Sequence, residues 1–344
     1  MTRFTAVLCG VCLSFAAAVG AAEPPPPAAG LELLQQAGEA WRAGNFRGRF
    51  VYVRGNRMDS MQVVHAVFDG VEHERLSHLD NTATEIIRRG DEIVCIHPDS
   101  RMTRLDRAGA AGPFRAFSGL DGSVDRYYAV RRAGQSRVAG RSAEFVDVGP
   151  RDVHRYGYRL WVDSETRLPL RYEVVSRKGR ALESVEFVDV ETGIAVPRDL
   201  FVAPVGGVRA LTLLRSTEAP MPSVAPSWLP PGFRVTGSQT QRLGDGADAV
   251  ESSSVTYSDG LAAFSFFVEK AAVDARPLGR QIGPTVAVSG VLDAGSAGRF
   301  RVTLVGEVPA GTAVKVVESA RFHARPAAKA AAEVVSPSVV PDPE

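Results

Sequence analysis

Cysteine is scarce in this chain of 344 residues: there are three, and two of them, Cys9 and Cys12, fall in the first 22 positions. That opening stretch has one early arginine (Arg3), an apolar run from Phe4 to Val19, and the small residues Gly20, Ala21 and Ala22 ahead of Glu23 and four prolines. It has the make-up of a secretory signal peptide and is too short and too weakly flanked for a stable membrane span. Residues 1–22 are therefore expected to be removed and the remainder exported. Cys95 is then the lone thiol, which excludes an intramolecular disulfide and leaves stability to packing. It sits in the apolar run Ile93-Val94-Cys95-Ile96 and is expected to act as a small buried hydrophobe, since no second cysteine could resolve an oxidised sulfur.

Net charge is also lacking. Without Arg3, 39 Lys and Arg face 39 Asp and Glu, so the long-range field that draws proteins to nucleic acid is absent. The balance is not uniform, because Arg88 to Arg180 contain 19 basic and 12 acidic residues. Such a surplus suits an anionic partner surface, either lipid phosphate or an acidic peptide. A solvated sheet face with scattered charges explains it equally well, and the sequence leaves both open.

Catalytic signatures are missing as well. The mature chain has no GxSxG elbow, SxxK pair, Walker loop, dinucleotide fingerprint or HExxH. His65, His73, His78 and His97 lie on different expected strands at no recognised ligand spacing, so no metal or other cofactor is expected. Glu72 and Glu74 share one strand face at i, i+2 and are expected to form a solvated stripe. These absences disfavour an enzyme and direct attention to binding.

What the sequence does have is β-structure. Gln62 to Arg104 divides into four short runs rich in Val, Ile, Phe and His, stopped at Asp69-Gly70, Asp80-Asn81, Gly90-Asp91 and Pro98-Asp99. Tight turns make this an antiparallel meander rather than a βαβ unit. Ahead of it, Glu23–Gly30 is expected to be a flexible leader. Leu31, Leu34, Ala37 and Trp41 mark an amphipathic helix, and Arg49–Arg54 a strand. Arg107–Gly122 is expected to be a long loop, and strands resume from Val124 to give nine or ten by Val190. A sheet of that length curls or closes.

Prolines crowd the stretch from Ser216 to Pro231, which is expected to be a semi-extended linker. Residues 31–215 then form a large domain and 232–320 a smaller α+β domain, with Pro309 opening a helix and residues 321–344 a disordered tail. If the curled sheet encloses space, alternate residues Phe50, Tyr52, Val64, Phe68, Leu76, Ile86, Val94 and Ile96 would line a lipid site. A dozen buried methylenes at ~0.8 kcal/mol each would give on the order of 10 kcal/mol before ordering costs. Arg88 and Arg89 would meet the lipid phosphate. In the small domain, Trp228, Phe264 and Phe266 are the expected anchors for a polypeptide partner. An ordinary packed core is the alternative to a hollow.

The run VVHAVFDGVEHERLSHLDNTATEIIRRGDEIVCIHPDS, the later RYGYRLWVDSETRLPLRYEVVSRKGRALE, and the second-domain stretches WLPPGF, YSDGLAAFSFFVE, GPTVAVSG and VGEVPAGTA resemble the RseB (MucB) family of periplasmic sigma-E regulators. The resemblance runs from about Leu31 to Ala320. It implies a mainly β fold, with a half-open antiparallel barrel of the LolA/LolB type followed by a smaller C-terminal domain. It implies no enzymatic activity. It further implies that the protein binds the periplasmic part of a membrane-spanning anti-sigma factor (RseA or MucA), shields it from the site-one protease, and is released by lipid or lipopolysaccharide. A periplasmic lipid or lipoprotein carrier is the competing expectation, which the second domain argues against because a shuttle needs only the cavity. The lipid sensed and the oligomeric state, including a homo-oligomer, are left open.

Overall fold

The computed structural model describes residues 27–79, 85–97, 102–105, 117, 120, 122–203, 211–214, 217–218, 223–243, 250–272 and 276–323. Helix α1 (Pro27–Ala43) comes first. It takes the last four residues of the expected leader, because Pro27 suits the first helical position, where no backbone N–H is needed. The strands β1 (Phe46–Arg54), β2 (Arg57–Phe68), β3 (Val71–His78), β4 (Glu85–Arg89), β5 (Glu92–Ile96) and β6 (Met102–Leu105) follow. Asp69 and Gly70 both have positive φ, +53° and +76°, the conformation a two-residue hairpin between β2 and β3 requires. After a 3₁₀ turn at Gly122–Arg126 come β7 (Tyr128–Val138), β8 (Arg141–Pro150), β9 (Gly157–Asp163), β10 (Pro169–Val175), β11 (Ala181–Thr192) and β12 (Leu211–Leu214).

These twelve strands form one sheet in the order β12-β6-β5-β4-β3-β2-β1-β11-β10-β9-β8-β7. Both meanders run outward from the central β1–β11 pair, and every pairing is antiparallel except β12 with β6. The sheet curls but does not close, since β7 and β12 are its two edges. The loop expected over Arg107–Gly122 lies outside the described residues except for Phe117, Leu120 and Gly122; Phe117 and Leu120 are buried in the core.

Both faces of the sheet are covered. On the concave face Leu31, Leu33, Leu34, Ala37 and Trp41 of α1 pack with Phe46, Phe50, Met61, Val63, Val130, Tyr158, Tyr172 and Phe187. On the opposite face of β2–β5, Val64, Ala66 and Ile87 pack under Val196 and Phe201. Strand alternation produces this split, because neighbours such as Val63 and Val64 point to opposite sides.

The second domain is a seven-stranded sheet in the order β13-β15-β16-β17-β20-β19-β18. Its strands are β13 (Thr217–Glu218), β15 (Arg234–Leu243), β16 (Val250–Ser258), β17 (Ala263–Lys270), β18 (Leu278–Ile282), β19 (Thr285–Asp293) and β20 (Arg299–Gly306). Helix α2 (Ala310–Glu318) follows Pro309 as expected and lies on β19 and β20, burying Ala313, Val316 and Val317. The Pro-rich stretch is not a free spacer throughout. Within it β14 (Val224–Pro226) pairs antiparallel with β21 (Ala320–Phe322), and Val224 is fully buried. Strand β21 also takes the first two residues of the expected tail. The mainly β architecture, a large antiparallel sheet followed by a smaller sheet-and-helix domain, is the one the sequence leads one to expect. No helix among the described residues is long and apolar enough to cross a membrane.

Candidate binding site at the junction of the two domains

The eight apolar residues expected to line one lipid site divide between the two sheet faces. Phe50, Tyr52, Leu76 and Ile86 belong to the concave face, where Phe50 is packed against Phe187 and only the other three are partly exposed. Val64, Phe68, Val94 and Ile96 are on the other face; Val64, Phe68 and Ile96 pack in the cluster beneath Val196 and Phe201. The sequence pattern took every second residue within a strand but joined strands one position out of register. A one-residue slip exchanges the two faces.

The arginine pair divides in the same way. Arg88 is 3% exposed and turns inward beside Glu74, its cross-strand partner, whereas Arg89 points outward and lies 4.0 Å from Glu92. Glu74 is itself 5% exposed, so the expected solvated Glu72–Glu74 stripe is in fact a buried polar cluster. His65, fully enclosed, donates from Nδ1 to the carbonyl of Gly44 (2.6 Å), and its Nε2 lies 3.0 Å from Glu72. A carbonyl can only accept, so Nδ1 carries the proton of this bond. Ligand atoms of His65, Glu72 and Glu74 lie within 4.8 Å of one another. With the Arg88 guanidinium packed beside them, the group is already charge-compensated. Cys95 is half-buried rather than sealed, and burial pushes its thiol pKa up.

Six arginines of the basic stretch are ion-paired across β7–β11. Arg131 pairs with Asp147, Arg159 with Glu173, Arg141 with Asp163, Arg171 with Glu173 and Glu186, and Arg132 and Arg167 both with Glu144. Arg171 also covers the ring of Trp161, which stacks on Phe145. This is the solvated charged face named above as the alternative to an anion-binding surface.

The two domains are joined by a hub at Arg155. Its side chain is 0% exposed, as is that of its partner Asp259 across the junction at 3.0 Å. Asp152 lies 3.2 Å from Nε, Nη2 donates to the carbonyl of Pro231 (2.6 Å), and the guanidinium lies over the rings of Tyr127, Tyr128 and Phe233 at 4.8–5.6 Å. Asp259 in turn accepts from the Tyr128 hydroxyl (3.0 Å) and from the backbone N–H groups of Leu261 and Ala262. The Ser258-Asp259-Gly260 turn thereby pushes Leu261 into the core of the large domain. Next to Arg155, His154 meets Thr312 of α2 and the edge of Trp228, whose face carries the Lys315 ammonium 3.8 Å from the ring centre. Trp228, an expected partner anchor, is thus part of the junction. Phe264 and Phe266, the other two, are 1% and 0% exposed and pack inside the small domain because they share the inward side of β17. In this conformation no surface partner reaches them.

A second contact lies along the β1–β2 and β10–β11 turns. Gly283 packs so closely on Arg54 that a Cβ there would lie 2.6 Å from the arginine stem, and Gln281 donates to the Tyr156 hydroxyl (3.2 Å). A cavity of about 390 Å³ opens here, lined by Val53, Asn56, Arg180, Glu183, Ser184 and Gln281 among others. Both oxygens of Glu183 accept phenol protons, one from Tyr52 (2.9 Å) and one from Tyr172. Burial first, and the Glu183 charge second, raise the Tyr172 phenol well above its ordinary pKa. Glu307 of the small domain lies near enough to feel the Glu183 charge. Burial, reinforced by the Glu183 charge and only partly offset by Arg54, pushes its carboxyl up to about 7. Nothing in the local sequence around Arg155, Asp259, Glu183 or Glu307 marks them out, because their roles come from contacts across the junction.

Comparison with known proteins gives this two-domain arrangement a context. Residues 29–205 match the MucB/RseB N-terminal domain and residues 220–321 the MucB/RseB C-terminal domain. The chain belongs to the MucB/RseB family. The sigma factor AlgU regulatory protein MucB of Pseudomonas aeruginosa is 38% identical over 298 residues, which are 85% of this chain and 90% of that protein. The sigma-E factor regulatory protein RseB of Escherichia coli K12 is 27% identical over 299 residues, covering 87% and 92%. Among solved structures, MucB in complex with MucA(peri) superimposes with a TM-score of 0.67 at 34% identity, covering 85% of this chain and 98% of that one. The complex of MucA and MucB from P. aeruginosa gives 0.68 at 33% identity, covering 86% and 99%. Family membership makes this a sigma-factor regulatory protein. The C-terminal match begins at residue 220, so part of the expected linker belongs to the second domain, in keeping with the β14–β21 pairing.

Proposed function

We propose that this protein is a periplasmic negative regulator of an extracytoplasmic stress response, binding the periplasmic part of a membrane-spanning anti-sigma factor and shielding it from site-one proteolysis until lipid releases it. The observation that carries this reading is the likeness, over nearly the full length of both chains, to a MucB crystallised with the periplasmic part of MucA. A regulator of this kind needs two coupled binding events rather than chemistry. The junction provides contacts from both domains, with Trp228, Tyr127 and the pocket beside Glu183 at its margins, where a bound polypeptide would sense the angle between them.

For lipid, the favoured entry is the part of the concave face that α1 does not seal, where Leu76, Ile86 and Cys95 are half-buried on adjacent strands. Arg88 on this face is buried beside Glu74 and Arg89 projects from the other face of β4, so a headgroup at this entry would be met by neither of the pair. A lipid displaces the partner only by binding the partner-free conformation more tightly than the partner-bound one. Titrating the mature protein with a synthetic periplasmic segment of its anti-sigma factor, with and without lipopolysaccharide, tests both halves. Submicromolar capture that weakens with added lipid is expected. Capture unaffected by lipid would remove the release step, and no capture would remove the reading as a whole. The double variant Leu76→Glu, Ile86→Glu should retain capture and lose the lipid effect.

A further inference from the structure

We propose that the cavity at the second contact between the domains binds a phosphate ester on a hydroxyl-rich carrier, with Arg180 and the cations around it meeting the phosphate. Three hairpins converge there. The β1–β2 turn brings Asn56, the β10–β11 turn brings Arg180 and leads into Ser184, and the β18–β19 hairpin of the small domain brings Gln281. The volume of about 390 Å³ is ordinary for a small-molecule site.

The two turns of the large domain carry five cations. Arg54 and Arg57 flank the first turn, and Arg177, Lys178 and Arg180 belong to the second, where the basic stretch of the sequence ends. Among the described residues none of the five has an ion-pair partner, in contrast to the six paired arginines across β7–β11. Arg54 lies over the Tyr52 ring at 5.6 Å, and the other four are exposed. Arg54 and Arg57 are also register partners, and like charges directly opposite on a hairpin repel. The acids at hand do not cancel this charge. Glu183 lines the cavity but commits both oxygens to the phenols of Tyr52 and Tyr172. Glu307, whose carboxyl burial raises to about 7, carries only part of a charge near neutrality.

A phosphate offers charge of the missing sign and oxygens that accept from several guanidiniums at once. A metal cation would meet the same repulsion that the arginines meet. Asn56, Ser184 and Gln281 suit the hydroxyls of a sugar or glycerol carrier. The ester is either soluble or the head group of a lipid. Because the lining comes from both domains, an occupant touches both. The inference rests on the cavity and its cations, so capture of an anti-sigma segment can fail without affecting it.

The test uses the full mature chain at low salt, with glucose 6-phosphate followed by phosphorus NMR line width and phosphatidylglycerol vesicles followed by flotation. Binding of at least one probe is expected. It should weaken roughly tenfold or more in the triple variant Arg177→Gln, Lys178→Gln, Arg180→Gln, whose positions are all exposed. A second triple variant, Arg42→Gln, Arg131→Gln, Arg137→Gln, removes the same charge from exposed sites elsewhere and should stay within roughly twofold of the wild type. With that contrast, binding of glucose 6-phosphate alone supports a soluble ester and binding of vesicles alone supports a lipid head group. No binding of either probe, or equal weakening in the two triple variants, overturns the proposal.

Discussion

Among single residues, Arg155 is the most consequential side chain outside the cores. A guanidinium removed from water needs an opposite charge beside it, and here Asp259 supplies one from the other domain while Asp152 lies on the near side. Asp259→Ala should therefore lower stability by about 3–5 kcal/mol, since the charge left behind is fully enclosed. Arg155→Met combined with Asp259→Leu should cost clearly less than that single change, and urea unfolding of the wild type, Arg155→Met, Asp259→Leu and the pair completes a double-mutant cycle. A coupling energy near zero would mean that the pair is not the junction's pin. Gly232 supplies a second residue-scale prediction. Its φ of +91° and its contact with the Tyr127 ring both exclude a Cβ. Gly232→Ala should lower the melting temperature, with a loss of about 1–3 kcal/mol; an unchanged melting curve would show that the Tyr127 ring gives way. Neither residue could have been singled out from sequence. An arginine in HRYGY and an aspartate in SDG look like ordinary surface and turn residues until the fold brings them together. Phe264 and Phe266 failed as partner anchors for the opposite reason: aromaticity is legible, but whether an aromatic residue faces a core or a partner is not.

At the scale of elements, two covers define the large domain. Helix α1 was legible because Leu31, Leu34, Ala37 and Trp41 repeat at helical spacing, and the structure seats that stripe on the concave face. The other cover, residues 194–203 with the short 3₁₀ turn Arg198–Phe201, has too little length for a period to register. Missing that cover made the outward face of β2–β5 look like part of the lipid wall. Strand β18 was equally invisible, since all five residues are exposed and none alternates. Trp41 is almost fully buried against Phe46 and Phe187. Trp41→Ala should cost about 3–5 kcal/mol in global unfolding, measured calorimetrically. A loss under 1 kcal/mol would indicate that α1 is loosely docked and that the concave face is open after all.

For the whole molecule, the meandering strands, many turn positions and the second domain could be read from sequence because each is written in local alternation and turn chemistry. The pairing of β1 with β11 joins segments some 130 residues apart and fixes which strands share a face; no local signal specifies it. The same folding ties six arginines of the basic stretch into ion pairs across β7–β11, an arrangement that net charge on a stretch of sequence does not reveal. What emerges is two domains pinned at Arg155, with a cavity beside Glu183 at their second contact. The most direct test of the regulatory reading is the rate at which the site-one protease cleaves the periplasmic segment of the cognate anti-sigma factor. With the purified protein in excess, cleavage is expected to slow at least tenfold and to recover when lipopolysaccharide is added. A cleavage rate unchanged by the protein would contradict the account.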